Sequence, residues 1–239
     1  MLESAFKIIL RATDNSASST GEDARRAIES NVRLFIALDI DDEIRERMAG
    51  FMDGLRGFAP EVRWVRTESL HVTLKFIGEK PTEFVTTLKE ALGQLLVPPF
   101  TVSFRGFGFF PTPRSPRVFW AGIEAGPELQ TLAAAVDEAT ARLGVAREEH
   151  AFSPHLTLAR KSGASGAPRK QKGDGPNNAF ARLQEKFAAM PTPEFGTMTA
   201  REFFLYQSQL SRSGSRYTKL ERFALDQGAP KTSRTANNL

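Results

Sequence analysis

The chain has 239 residues, long enough for one large domain or two small lobes, with 41% hydrophobic and 25% charged residues. These values are typical of a soluble globular protein, and the absence of cysteine excludes disulfides, thiolate nucleophiles and the usual structural zinc sites. No apolar run approaches the ~18 residues of a membrane helix, so the sequence predicts a cytoplasmic protein without a membrane anchor. The net charge of +4 favours a polyanionic partner only weakly.

Residues 1–31 mix Ser, Thr, Asp and Glu and hold few apolar positions, which predicts a loose N-terminal extension. An apolar run over 32–40 predicts the first strand, and apolar residues at helical spacing predict a helix over 41–57 that ends at Gly57. Further strands are predicted at 62–65, 70–77, 100–110, 118–124, 152–159, 201–209 and 217–225, and further helices at 82–96, 127–143 and 177–189.

Strands outnumber helices, and their mixed order favours an α+β fold of antiparallel strands with helices on one side. The main domain is predicted over 32–226. Within it, the Gly-rich and basic segment 161–176 has no apolar periodicity and is predicted to be a flexible loop, and the polar stretch 227–239 is predicted to be a frayed tail.

The chain repeats one short pattern, His-x-Thr-Leu, at His71/Thr73 and again 84 residues later at His155/Thr157. A single His-x-Thr in a strand is a weak pattern, usually an ordinary pair on an exposed face. Here two of only three histidines fall in matching apolar-alternating strands. The repeat therefore suggests a duplicated lobe, in which the two pairs converge on one small ligand.

Alternate side chains of a strand share a face, so His71 and Thr73 are predicted to point away from the apolar residues between them, as are His155 and Thr157. One imidazole can accept a proton from water while the other protonates a leaving oxygen, because histidine titrates near neutral pH. The two threonine hydroxyls can hydrogen-bond phosphate oxygens. This combination suits hydrolysis of a cyclic phosphate, with no metal and no cofactor predicted.

An ordered series of seven segments resembles the 2H phosphoesterases, and among them the RNA 2',3'-cyclic phosphodiesterases once called 2'-5' RNA ligases. The resemblance covers roughly residues 32 to 226 and includes Leu70-His71-Val72-Thr73-Leu74-Lys75-Phe76-Ile77-Gly78 and Phe152-Ser153-Pro154-His155-Leu156-Thr157-Leu158-Ala159-Arg160. Its other segments are 33–39, 62–65, 106–111, 116–122 and 204–210, followed by Tyr217.

This resemblance implies a bilobal fold of two antiparallel sheets related by a pseudo-two-fold axis, with helices outside and both motifs in a central cleft. It also implies hydrolysis of 2',3'-cyclic phosphate ends of RNA, or of a cyclic nucleotide, to the 2'-phosphomonoester. By the same analogy His71 is the proton donor and His155 the proton acceptor, while Thr73 and Thr157 hold the phosphate. The protein is expected to act as a monomer.

Two basic residues are further candidates for a phosphate or RNA contact. Lys75 has the cleft-facing parity of His71, although a place at the border of the sheet is the favoured interpretation. Arg160 has the wrong parity in an ideal strand, but a bulge at the strand end could redirect it. The resemblance makes Arg160 a candidate contact, and a surface salt bridge is the alternative role. His150, outside both motifs, is interpreted as a solvated or structural histidine.

Two alternatives stay open at this point. The same site could join RNA halves through a 2'-5' bond in the reverse direction, if it receives a cyclic phosphate end and a 5'-hydroxyl end together. The chain could also be a binding module that holds nucleotides or RNA without turnover, which the intact His and Thr of both motifs argue against.

Overall fold

The computed structural model describes residues 31–161, 179–211 and 214–226. Most of the predicted extension, nearly all of the predicted basic loop and the predicted tail lie outside the described residues. The strands are β1 (Asn31–Leu38), β2 (Val62–Trp64), β3 (Val72–Pro81), β4 (Phe100–Phe110), β5 (Val118–Ala125), β6 (His155–Lys161), β7 (Glu194–Ala200), β8 (Glu202–Ser211) and β9 (Gly214–Ala224). The helices are α1 (Asp42–Leu55), α2 (Phe84–Leu92), α3 (Pro127–Ala141) and α4 (Ala181–Ala188), with short 3-10 turns at Arg56–Phe58 and Thr67–Ser69.

The predicted helices are all present but shorter than predicted at one or both ends. In α1, Ile44, Met48 and Met52 repeat every four residues and are buried along one face, and acidic residues in the first turn suit the helix dipole. No helix of the described chain is long and apolar enough to cross a membrane.

The nine strands form one antiparallel sheet in the order β7-β4-β5-β6-β3-β1-β8-β9, and β2 pairs with β6 beside β3. The prediction of two separate sheets was therefore wrong. The central strands β3 and β6 pair with each other through Val72 and Leu156, and this contact makes the two halves continuous.

The core lies on one face of the sheet, where all four helices contribute buried residues. On the other face a small separate cluster of Phe35, Ala37, Phe204 and Tyr206 packs with Tyr217. The sheet thus has a helix-covered face and a second face with its own aromatic cluster.

Strand β7, at the edge of the sheet, was not predicted. Its buried residues Phe195, Met198 and Ala200 break strict alternation, because the pairing with β4 shifts by one residue next to Gly196. Gly196 has a φ of 112°, a value that favours glycine. The bulge hides the period-two pattern from which a strand is recognised.

A bulge in β3 also overturns the predicted orientation of Lys75. Ile36 pairs with Lys75 and Ala37 with Thr73, so Leu74 has no partner on β1 and the side chains beyond it change face. Lys75 points into the helix-covered side, where it is 2% exposed. Its Nζ lies 2.5 Å from Asp137 Oδ1 and 2.7 Å from the carbonyl oxygen of Ala146. Lys75 is therefore a structural residue between β3 and α3.

We expect Asp137→Ala to lower the free energy of unfolding by roughly 2 kcal/mol, because it leaves a buried ammonium with Glu148 as its remaining carboxylate, at 3.5 Å. Lys75→Met should cost less, since Asp137 keeps its ion pair with Arg147 and no charge is stranded in the interior. Urea unfolding of both variants measures the difference. Glu138→Ala, which removes an exposed carboxylate next to Asp137, is the control. Equal losses for Asp137→Ala and Glu138→Ala would contradict this account.

Candidate active site

The two His-x-Thr motifs lie side by side at the centre of the sheet. Val72 and Leu156 pair directly, and continuing the antiparallel register by one residue in each direction sets His71 beside Thr157 and Thr73 beside His155. All four side chains are half-buried, whereas Val72 and Leu156 between them are buried in the core. The motif residues therefore share the face opposite the helices.

Both imidazoles are oriented in the same way by the backbone. His71 Nδ1 lies 2.7 Å from the carbonyl oxygen of Ser69, and His155 Nδ1 lies 2.8 Å from that of Ser153. A carbonyl oxygen only accepts, so Nδ1 carries the proton and donates it, which leaves Nε2 available for proton transfer. Sequence reasoning missed these contacts. A serine precedes each histidine by two residues, but the contact uses its carbonyl.

Aromatic rings surround His71. The ring of Phe35 lies 4.8 Å away, Tyr217 stands perpendicular at 5.2 Å, and Tyr206 lies at 6.2 Å. Burial among these rings lowers the pKa of His71 to about 4, an effect that the Ser69 carbonyl partly opposes. The positive charge of Arg160 lowers this pKa further. Without a ligand, His71 is therefore neutral at physiological pH.

His155 has a different wall. Phe110 stands perpendicular to it at 4.9 Å and Trp120 lies 6.4 Å away, and burial followed by the charge of Arg160 lowers its pKa. The indole of Trp120 packs against Gly108, where a Cβ atom would lie 2.1 Å from the nearest ring atom. A residue without a side chain is thus required on β4 for this close approach.

A bulge in β6 brings Arg160 to the motif face. Phe119 pairs with Ala159 and Trp120 with Thr157, so Leu158 has no partner on β5. Arg160 consequently shares a face with Thr157, and its Nη2 donates to Thr157 Oγ1 at 3.5 Å. The equivalent bulge after the first motif leaves Phe76, 51% exposed, at the position that corresponds to Arg160.

An ion cluster behind His71 was also missed by sequence reasoning. Asp39 accepts from Arg45 Nη2 at 2.6 Å, and Lys219 Nζ lies 2.5 Å from its other oxygen. Burial alone would raise the pKa of Asp39, but the Lys219 hydrogen bond, together with the other contacts, holds it below its usual value. The carboxylate is thus charged, and its charge raises the pKa of His71 against the effect of burial.

No three His, Asp or Glu residues in the described part of the chain are grouped as metal ligands would be. The donor set at this site is instead two imidazoles, two hydroxyls and one guanidinium, and together they suit an anion.

Residues 41–199 match the family model described as the 2'-5' RNA ligase superfamily. The chain belongs to this superfamily. The family resemblance noted in the sequence is confirmed.

Relatives in the superfamily cover most of the chain. A protein named RNA 2',3'-cyclic phosphodiesterase from Archaeoglobus fulgidus is 38% identical over 80% of this chain and 99% of its own length. The protein of the same name from Escherichia coli K12 is 31% identical over 82% of this chain and 97% of its own length.

Solved structures in the superfamily share the fold. E. coli LigT in its apo form aligns with a TM-score of 0.64 at 32% identity, covering 83% of this chain and 99% of that one. LigT complexed with 3'-AMP aligns with a TM-score of 0.62 at 31% identity, covering 82% and 98%.

The pKa of His71 predicts a stability loss in acid. The unfolded chain takes up the proton near pH 6.5 and the folded chain only near pH 4, so the unfolded state binds more protons between these values. The free energy of unfolding should therefore fall by about 3 kcal/mol at most from this group as the pH drops through that window. H71N, which does not titrate, should remove this part of the pH dependence.

Proton NMR of the imidazole tests the same expectation directly. The His71 signal, assigned by its loss in H71N, should titrate with a midpoint near pH 4. A midpoint near 6.5 would show that the rings of Phe35, Tyr206 and Tyr217 do not desolvate this histidine.

Proposed function

We propose that this chain is an RNA 2',3'-cyclic phosphodiesterase that opens a cyclic phosphate end to a 2'-phosphomonoester. The observation that carries the proposal is the pairing of Val72 on β3 with Leu156 on β6. Extending this antiparallel register by one residue sets His71 beside Thr157 and Thr73 beside His155. In-line attack on a phosphate needs a proton acceptor for the water and a proton donor for the leaving oxygen, and the two imidazoles supply both. Each imidazole has a threonine hydroxyl beside it. The names of the relatives support the same activity.

In the proposed reaction His155 accepts a proton from water as the water oxygen bonds to phosphorus. The bond from phosphorus to O3' breaks, and His71 donates its proton to the departing O3' oxygen. The phosphate stays on O2', and the two histidines return to their starting states by exchange with solvent. The charge that shifts onto the non-bridging oxygens is stabilised by Thr73 and Thr157.

Arg160 joins this set in the proposal. Its guanidinium already donates to Thr157, so a phosphate that accepts from that threonine also meets the charge of Arg160. Lys75 is left out, because its ammonium is engaged on the helix-covered side of the sheet.

His71 can act as the acid only when it is charged, and burial keeps it neutral in the ligand-free protein. A cyclic phosphate carries one negative charge, and an anion next to an imidazole raises the pKa of that imidazole. In the proposal the bound substrate therefore raises the pKa of His71, so that this histidine takes up a proton from solvent. The aromatic rings around His71 confine its charged form to the occupied site.

The strand order supports a pseudo-two-fold relation between the halves. Outward from the central pair, β6 is followed by β5, β4 and β7, and β3 by β1, β8 and β9. Both motif strands carry the same bulge after the threonine. We infer two lobes that each contribute one motif to a shared cleft. The cytoplasmic location and the monomeric state stay predictions.

We expect the protein to open adenosine 2',3'-cyclic phosphate in the presence of EDTA and to release the 2'-phosphate alone. Chromatography against authentic 2'- and 3'-phosphates identifies the product. Release of the 3'-phosphate would mean that O2' is the leaving oxygen, and loss of turnover under EDTA would contradict catalysis by the histidines alone.

His71→Ala and His155→Ala should each lower kcat by about 10²- to 10⁴-fold, because each removes one proton transfer from the reaction. His150→Ala is the matched control, since His150 is exposed and lies in neither motif. The wild-type rate should show a bell-shaped pH profile, and each active-site variant should lose one limb of it. An unchanged kcat in either variant contradicts the assigned roles.

The superfamily description favours a second candidate reaction, joining of RNA ends through a 2'-5' bond. It is the reverse of cleavage of such a bond and uses the same two histidines. An assay that supplies an RNA with a 2',3'-cyclic phosphate end together with a 5'-hydroxyl oligonucleotide distinguishes ligation from hydrolysis. Ligation yields a longer chain, whereas hydrolysis yields a 2'-phosphate.

A further inference from the structure

We propose that Arg63, next to Arg160, forms a second phosphate subsite, which holds the phosphodiester on the 5' side of the nucleotide that carries the cyclic phosphate. This inference rests on the proposed function and adds a residue that distinguishes an RNA strand from a single nucleotide. It follows from the place of β2 in the sheet.

Strand β2 pairs with the end of β6, and in this pairing Arg63 lies directly opposite Arg160. Directly opposed residues of antiparallel strands point to the same face. The neighbours of Arg63 confirm which face this is, because Val62 is buried in the core and the Trp64 ring packs against Phe119, which is buried. Arg63 is exposed and therefore projects from the motif face beside Arg160.

Arg63 and Arg160 are two positive charges at directly opposed positions of β2 and β6. Nearby arginines are neutralised, Arg45 by Asp39, Arg56 by Asp53 and Arg66 by Glu68. Within residues 31–161, 179–211 and 214–226, no ion pair joins Arg63 or Arg160 to an acid. Both guanidinium groups are therefore available to a bound anion.

The position of the pair relative to the motifs selects the anion. Arg160 reaches Thr157 and so borders the phosphate that reacts, whereas Arg63 sits one strand away at the same level. An RNA 3' end has its next phosphate on the 5' side of the terminal ribose, and a mononucleotide lacks it. The planar fork of arginine suits a phosphate, to which it donates two hydrogen bonds.

The test compares adenosine 2',3'-cyclic phosphate with a pentaribonucleotide that ends in the same cyclic nucleotide. Arg63→Ala should leave kcat and KM for the mononucleotide within about twofold of wild type. For the pentamer it should raise KM about fivefold and reduce the slope of log KM against log salt by about 1. Arg63→Lys keeps the positive charge but loses the planar fork, so its KM for the pentamer should fall between those of wild type and Arg63→Ala.

Arg66→Ala, which removes an exposed arginine three residues away that already has an acidic partner, is the control and should affect neither substrate. The thermal midpoint of ligand-free Arg63→Ala should stay close to that of wild type, because the side chain of Arg63 is exposed. An equal KM rise for mononucleotide and pentamer would place Arg63 at the reacting phosphate and overturn the second subsite. An unchanged pentamer KM would overturn it as well.

A binding arm separates this inference from the proposed activity. The Kd of a pentamer ending in a 2'-phosphate is measured against that of adenosine 2'-phosphate, with wild type and Arg63→Ala. Loss of affinity for the pentamer alone supports the subsite even if no turnover is seen, in which case the proposed activity fails and the subsite stands. Equal Kd values for wild type and variant overturn the subsite.

Discussion

The arrangement of the candidate site depends on one backbone pairing, between Val72 of β3 and Leu156 of β6. Strand β3 pairs along much of its length with β1, and β6 pairs with β5. Among the described residues, β3 and β6 pair with each other at this one position. The apolar side chains at the contact are buried and fix the level at which the strands cross. Because the flanking residues face the other way, burial of two aliphatic side chains determines which imidazole neighbours which hydroxyl.

The same face shows how desolvation and charge oppose each other around a catalytic group. Burial among aromatic rings favours a neutral imidazole at His71, and the guanidinium of Arg160 acts in the same direction. The carboxylate of Asp39, kept charged by Arg45 and Lys219, acts against both. Burial is the strongest of these effects in the ligand-free protein. A group held in this balance responds strongly to an added negative charge, which is the property that a substrate-dependent acid needs.

Sequence reasoning found what depends on regular periodicity. Alternation predicted that the His and Thr of each motif share one face and that the residue between them, Val72 or Leu156, lies in the core. Helical spacing located all four helices. It failed where the chain departs from the period of two. The bulge at Leu74 sends Lys75 into the interior, and the shift beside Gly196 conceals β7.

Contacts made by backbone atoms could not be predicted from the sequence for a different reason. The carbonyl oxygens of Ser69 and Ser153 orient the two imidazoles. Every residue has a backbone carbonyl, so the residue types at these positions do not indicate the contacts. Likewise, the single sheet follows from a pairing between strands more than 80 residues apart, and local patterns do not encode that pairing. The aromatic residues were visible in the sequence, but their assembly around His71 requires β1, β8 and β9 to be neighbours.

The contact between Trp120 and Gly108 links the ring beside His155 to a glycine on the neighbouring strand. The indole forms the wall beside His155, yet its depth is set by the missing side chain on the adjacent strand. The position of the ring beside His155 thus depends on Gly108, which pairs with Trp120 across β4 and β5. Any side chain at position 108 would displace the indole, and the shape of the site beside His155 would change with it.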